Sequence, residues 1–406
     1  MIFNICNNIQ QRHKMTLQIP SKLPQIGTTI FTVMSALAAE HRAVNLSQGF
    51  PDFPCSPELV DLVSFYMKNG MNQYAPMAGI PILRQRIAEK TEKLYQYLPN
   101  PDTEITVTSG ATEALFAAIA AVVQQGDEVI IFEPAYDSYV PAIELNGGKV
   151  VPIALNYPNY HIDWQLVRQK ITTKTKLIIV NTPHNPTGSI LSENDLNELE
   201  DIVENNVENS NIFLIADEVY EHIVFDKKVH QSFLLRPKLA KRSFVISSFG
   251  KTFHTTGWKV GYCIAPEFLT KEFRKIHQYL TFSTATPLQY AIADYLIDEV
   301  HYLDLPDFYE SKRNKFIELI KETPFKYIPS EGTYFQLLDY STISTEKDTD
   351  FAIRLTKEFG VAAIPISVFY SNIDKCEQQN ILRFCFAKTD ETLEKAVENL
   401  KKLNKI

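Results

Sequence analysis

Lys251 is an amine in an apolar setting. An apolar run at 244–247 and Gly250 precede it, and an aromatic-rich GWKVGY stretch follows. A desolvated amine can attack a carbonyl and form an imine. Other reactive groups recur at matching places. Asp217 and Tyr220 follow the apolar run 213–216, and Asn185 sits in His184-Asn185-Pro186-Thr187-Gly188 after the run 177–181. Gly110-Ala111-Thr112 follows 105–109 and opens a helical pattern, where backbone N–H groups can cradle an anion. Ser248 and Lys259, three before and eight after Lys251, add a hydroxyl and a cation. Taken alone, each has an ordinary reading: a surface amine, an Asp cap after a strand, an Asn-Pro-Thr-Gly turn. Their recurrence in successive units asks for a common explanation.

The elements that must position these groups follow from periodicity. Residues 100–265 alternate between short apolar runs and helical patterns. Strands are expected at 105–109, 128–132, 177–181, 213–216, 244–247 and 261–265, with helices at 113–124 and 193–204. Leu177-Ile178-Ile179-Val180 is apolar on both faces, which suits a mixed, mostly parallel α/β sheet with helices on both sides. Ligands of such sheets sit outside the carboxyl ends of the strands, where the groups above fall. After about residue 266, helices are expected at 267–280, 286–299 and 306–322, then strands near 334–338 and 381–386 and a helix near 390–404. The expected division has four parts: a lead-in over 1–15, disordered or preceding a true start at Met15; a segment 16–54 that joins the small domain; a large α/β domain over 55–290; and a smaller α+β domain over 291–406.

Composition narrows the function classes. The net charge of −8 carries no basic block for nucleic acid or an anionic membrane. No run of 18 apolar residues is present, so no membrane span is expected. Cys6, Cys55, Cys263, Cys376 and Cys385 are scattered without CxxC spacing, which reads as free thiols in a reducing cytoplasm. The nine histidines show no metal spacing, and no metal is expected. His222, His254 and Trp258 read as packing residues.

One cofactor needs this whole set of groups. Pyridoxal 5'-phosphate takes an amine for its aldehyde, a carboxylate against its pyridine nitrogen, donors toward its ring oxygen, and an anion cradle for its phosphate. An amino-acid substrate adds a planar fork for its carboxylate, which is arginine work. The motifs NLSQGFPDF (45–53), NQYAPMAG (72–79), TSGATEAL (108–115), NTPHNPTG (181–188), ADEVYEH (216–222), SSFGKTFHTTGWKVGY (247–262) and RFCFA (383–387) carry a specific likeness. From about residue 31 to the end, the chain resembles fold-type I, class I/II aminotransferases. Within them it is most similar to the bacterial methionine aminotransferases, which neighbour the kynurenine aminotransferase/glutamine transaminase K group.

The resemblance implies roles. Lys251 holds the cofactor and moves protons, Asp217 pairs with the ring nitrogen, and Tyr220 and Asn185 bond the ring oxygen. Ser248, Lys259 and the 110–112 backbone (Gly110, Ala111, Thr112) bind phosphate, and Tyr136 stacks on the ring. Tyr74 reaches the phosphate from the other subunit of a homodimer with shared sites. Arg383, Asn185 and the Gly49 amide hold the substrate carboxylate, while Phe31 and, across the dimer, Phe282 line the side-chain pocket. Many relatives carry Arg at the Lys259 position; a Lys keeps the charge but not the fork. The implied reaction is ping-pong transfer of an amino group from methionine or an aromatic amino acid to a 2-oxo acid. Two rivals stay open on sequence: a cysteine-conjugate β-lyase of the same fold, and a non-catalytic sensor or regulator.

Overall fold

The computed structural model describes residues 19–24, 26–155, 157–205, 211–371 and 380–405. The expected lead-in over 1–15, Cys6 and Cys376 lie outside them. Seven strands form the central sheet: β1 (Ile105–Thr108), β2 (Glu128–Glu133), β3 (Lys149–Ala154), β4 (Thr175–Asn181), β5 (Phe213–Asp217), β6 (Ser243–Ser248) and β7 (Gly261–Ile264). Their spatial order is β1-β7-β6-β5-β4-β2-β3. Neighbours from β6 to β3 run parallel, and β7 is antiparallel to both β1 and β6.

The two-residue period of a strand sends alternate side chains to opposite faces. On β4, Leu177 and Ile179 enter one hydrophobic core while Ile178 and Val180 enter the other. Both cores are helix-covered. Leu196, Leu199 and Ile202 of helix Glu193–Asn205 face Ile178 and its neighbours. Helix α1 (Gly110–Val122) and helix α2 (Glu267–Leu280) cover the Leu177 side with Leu115, Ile119 and Phe273. A strand buried on both faces therefore shows no polar alternation, as expected from the sequence.

Two differences from the sequence reading have physical causes. Strand β3 was not expected: Pro152 removes a ladder donor, and the strand is an edge whose residues are mostly exposed or half-exposed. The expected helix 286–299 stops at Tyr295, and a short helix, Val300–Leu303, follows before Leu305–Ile320. A smaller antiparallel sheet of β8 (Phe335–Asp339), β9 (Ile364–Pro365) and β10 (Ile381–Cys385) has the order β9-β10-β8. The N-terminal segment joins this region, since Val44 pairs in parallel with Val361 and Asn45 with Ala362.

The antiparallel β7 lies close to the start of α1. A Cβ on Gly261 would stand 2.8 Å from the Ser247 carbonyl oxygen, 2.9 Å from the Gly110 carbonyl carbon and 3.0 Å from the Ala111 nitrogen. All three are backbone atoms and none can swing aside. Gly261→Ala is expected to cost about 1–3 kcal/mol of stability, as other overpacked cores do. Urea unfolding of the two proteins measures it, and equal midpoints would contradict the contact.

Candidate active site

A cavity of about 300 Å³ opens at the carboxyl ends of β4, β5 and β6. The strand register brings its polar groups there. Asn181 and Asp217 end adjacent parallel strands and are paired in register. Ser248 ends the next strand, and a four-residue helical turn, Phe249–Thr252, carries Lys251. The cavity collects thirteen of the fifteen residues expected from sequence: Phe31, Gly49, Gly110, Ala111, Thr112, Tyr136, Asn185, Asp217, Tyr220, Ser248, Lys251, Lys259 and Arg383. Tyr74 and Phe282 are not among its lining. Their rings meet edge to face at 5.4 Å outside it, with Tyr74 85% exposed and beside a separate open groove at 283–287.

Asp217 is buried. Its Oδ2 accepts from the Tyr139 hydroxyl at 2.5 Å, and Oδ1 accepts from the Val219 N–H at 3.4 Å. Among the described residues no basic side chain forms an ion pair with it. Burial pushes its carboxyl up to about 6. Lys251 lines the same cavity, and burial lowers its amine to about 8. An amine so shifted is neutral in a useful fraction near neutral pH, which suits attack on a carbonyl.

Arg383 is buried on β10. It donates to Asn185 Oδ1 at 2.8 Å and to the Ser47 carbonyl at 3.0 Å, and its Nε has no hydrogen-bond partner. Its guanidinium sits 3.9 Å from the Phe335 ring centroid, a cation–π contact. No carboxylate pairs with it among the described residues, and burial lowers it to about 10. A buried guanidinium without a counter-ion is a site for an anion.

The start of α1 faces the same cavity. Its N-cap, Ser109, makes no side-chain capping bond, so the first-turn N–H groups are not closed off by their own cap. Lys259 adopts a left-handed backbone (φ 55°), and its Nζ lies 3.4 Å from where a Cβ on Gly110 would stand. These groups make a cradle for a phosphate. The donor set thus fits pyridoxal phosphate: an amine, a buried acid without a cation, a helix N-terminus with a lysine, and a tyrosine and an asparagine between them.

Sequence reading missed several members. Tyr139 could have been found three residues after Tyr136 in EPAYDSY. Phe50 adjoins Gly49, and Asn181 ends its strand. Tyr334 and Phe335 gave no local signal, because their partners Lys251, Gly49 and Arg383 lie on distant segments of the chain. A second buried set lies behind the cavity. Glu221 Oε1 takes Lys90 Nζ (2.8 Å), Ser247 Oγ (2.6 Å) and Tyr262 OH (2.9 Å), while Oε2 takes Tyr95 OH (2.6 Å). Burial acts to raise this carboxyl, but the Lys90 charge and the donors outweigh it and hold it below the usual range. The set ties the Asp217–Tyr220 loop to β6 and β7.

Comparisons with known proteins agree with this geometry. The family model for aminotransferase class I and II matches residues 41–400. The chain is 52% identical over 384 residues to methionine aminotransferase of Escherichia coli (strain K12), covering 94% of this chain and 98% of that one. It is 34% identical to kynurenine–oxoglutarate transaminase of Dictyostelium discoideum, covering 98% and 99%. Among solved structures, YbdL from Escherichia coli, described as having a methionine aminotransferase function, matches with a TM-score of 0.91 at 51% identity, covering 95% of this chain and all of that one. N-succinyldiaminopimelate aminotransferase from Mycobacterium tuberculosis matches with a TM-score of 0.90 at 36% identity, with the same coverage.

The buried acid generates a test. The folded Asp217 carboxyl keeps its proton to higher pH than the unfolded chain does, so the ligand-free native state loses stability as pH rises from about 4 through about 6. Asn at this position cannot ionise. Ligand-free Asp217→Asn is therefore expected to exceed the parent by up to roughly 3 kcal/mol at pH 8 and to match it near pH 4. Melting curves at the two pH values decide; a variant less stable at pH 8 would contradict the assignment.

Proposed function

The chain belongs to the class I and II aminotransferases, enzymes that use pyridoxal phosphate, and from that premise we propose the following division of labour at the cavity. Bound there, the cofactor supplies an aldehyde for covalent attachment and a ring that takes up electrons from the substrate α-carbon. Asp217 holds its charge against the ring nitrogen, and Tyr220 and Asn185 bond the ring oxygen. Tyr136 packs on the ring, while Gly110, Ala111, Thr112, Ser248 and Lys259 hold the phosphate. Arg383, Asn185 and the Gly49 amide take the α-carboxylate. Lys251 holds the cofactor between turnovers. With the substrate bound, the freed Lys251 amine would take up the α-proton at Nζ and hand it back to a carbon of the bound cofactor, general acid–base work typically contributing 10²–10⁴-fold. The donor leaves as a 2-oxo acid before the second oxo acid enters, which makes the reaction ping-pong.

The observation that carries this reading is the pair of buried charges without protein counter-ions. Asp217 and Arg383 face the one cavity that Lys251 also lines, and neither has an ion-pair partner among the described residues. The substrate side chain follows from what else lines it. Arg383 is the one arginine among the described lining residues, and Phe31, Phe50 and Phe335 line the same cavity. That composition suits an uncharged donor, and we assign methionine and aromatic amino acids. The full-length likeness to transaminases weighs against the lyase and sensor readings.

We also assign a homodimer, a cytoplasmic location and the domain division 16–54 with 291–406 against 55–290. Exposed Tyr74, Tyr279 and Phe282 support the dimer. The free thiols Cys55, Cys263 and Cys385 support a reducing compartment. The Val44–Val361 pairing supports joining the N-terminal segment to the small domain. Among the described residues no helix is long and apolar enough to cross a membrane.

Four measurements test these assignments. Lys251→Ala is expected to lose the visible absorption of covalently held cofactor, and a panel of donors with one oxo acid is expected to favour methionine and phenylalanine over aspartate; the opposite preference would overturn the pocket assignment. Light scattering of the parent is expected to give twice the chain mass, and Tyr74→Ala to weaken cofactor retention; a monomer with full retention would refute the shared site.

A further inference from the structure

Tyr334 has no task in the scheme above, yet it touches the group at its centre. It immediately precedes β8 and is fully buried. Lys251 Nζ donates to its phenol oxygen at 2.8 Å and to the Gly49 carbonyl at 3.1 Å. The same phenol donates to that carbonyl at 2.5 Å. Amine, phenol and carbonyl therefore form a closed triangle, joining the turn after β6, the edge of the small sheet and the N-terminal segment.

A ring alone would serve packing. Tyr334 meets Tyr220 edge to face at 5.2 Å and Phe335 at 4.9 Å, and Phe335 fills the next position without a hydroxyl. A buried hydroxyl is costly unless it is bonded, and this one is bonded to the reactive amine and to the peptide beside the Gly49 amide. Gly49 itself is held tightly: a Cβ there would stand 2.8 Å from the Phe335 ring. The two acceptors match the two N–H groups of a neutral amine and leave its lone pair uncommitted. Burial keeps the phenol protonated well beyond the pH at which the amine gives up its proton.

We propose that Tyr334 is a positioning residue for Lys251, its phenol receiving the amine whenever that amine is not covalently engaged and tying this seat to the Gly49 carbonyl. The proposal rests on the reading of Lys251 as the residue that holds the cofactor. The freed amine then stays within reach of the substrate α-carbon instead of swinging away. Gly49, assigned to the substrate carboxylate, is fixed by the same contact.

Tyr334→Phe keeps the ring and removes the seat. The holoenzyme variant is expected to show the parent's visible band. Its single-turnover rate with methionine should fall about 10- to 100-fold, the scale of loss from a misplaced reacting group. The dependence on Lys251 separates this from a structural effect. In the Lys251→Ala background, Tyr334→Phe is expected to cause no further loss, since the group it positions is gone. In the cofactor-free full chain, labelling of Lys251 with an acylating reagent, read by peptide mass across pH, is expected to titrate at lower pH in Tyr334→Phe, because an acceptor to the ammonium is missing. A parent-like turnover rate, an equal loss in both backgrounds, or an unmoved labelling midpoint overturns the seat while leaving the role of Lys251 intact. A Lys251→Ala protein that keeps the visible band overturns both.

Discussion

A carboxylate buried without a cation is the constraint around which this site is arranged. Three acids lie within five residues at the end of β5, and their surroundings differ. Glu218 takes His230 Nε2 and the Phe233 N–H, each at 2.9 Å. Glu221 takes Lys90 and three hydroxyls. Asp217, between those networks and the cavity, takes only a tyrosine hydroxyl and a long amide contact. Of these three acids the fold satisfies two internally and leaves Asp217 without a cationic partner among the described residues. The energy withheld from the empty protein is then available to binding.

Arg383 answers Asp217 from the other side. It is a cation whose Nε has no acceptor among the described residues, stacked on Phe335 and steadied by Asn185. The two residues reach the cavity from different sheets, so relative placement of those sheets sets the distance between the buried acid and the guanidinium. The Val44–Val361 pairing and the Gly49 contacts carry the N-terminal segment into the same junction. Positioning by rigid elements is what lets such groups act in concert.

Much of this was legible in the sequence because the chemistry sits next to its own strand. Asp217 and Tyr220, Asn185, Ser248 and Lys251, and the 110–112 turn all lie just after apolar runs, so locating the strands located the groups. What escaped was what depends on distant pairing. Strand β3 is half-exposed and interrupted by Pro152, so it has neither the apolar run of a central strand nor a clean alternation. Lys90 and Glu221 are 131 residues apart, and nothing local marks a lysine that will be buried. Tyr334 looks like one more aromatic beside Phe335; only its contact with Lys251, 83 residues earlier in the chain, distinguishes it. Tyr74 and Phe282 illustrate the converse: each was read as serving a site across a dimer, and neither lines the cavity of its own chain.

The reversed direction of β7 sets an order of assembly. Strand β1 is made early, but its one neighbour in the sheet is β7, about 150 residues later. The strand that leads into the anion cradle therefore stays an open edge until Gly261 arrives against Gly110 and Ala111. During synthesis the parallel strands β2 to β6 can pair progressively, while the α1 side of the cavity waits for β7. Pairings of such long sequence separation are slow to form. A nascent chain that ends between Lys251 and Gly261 has the Asp217 loop and Lys251, but β1 and the start of α1 still lack the strand that closes them onto the sheet.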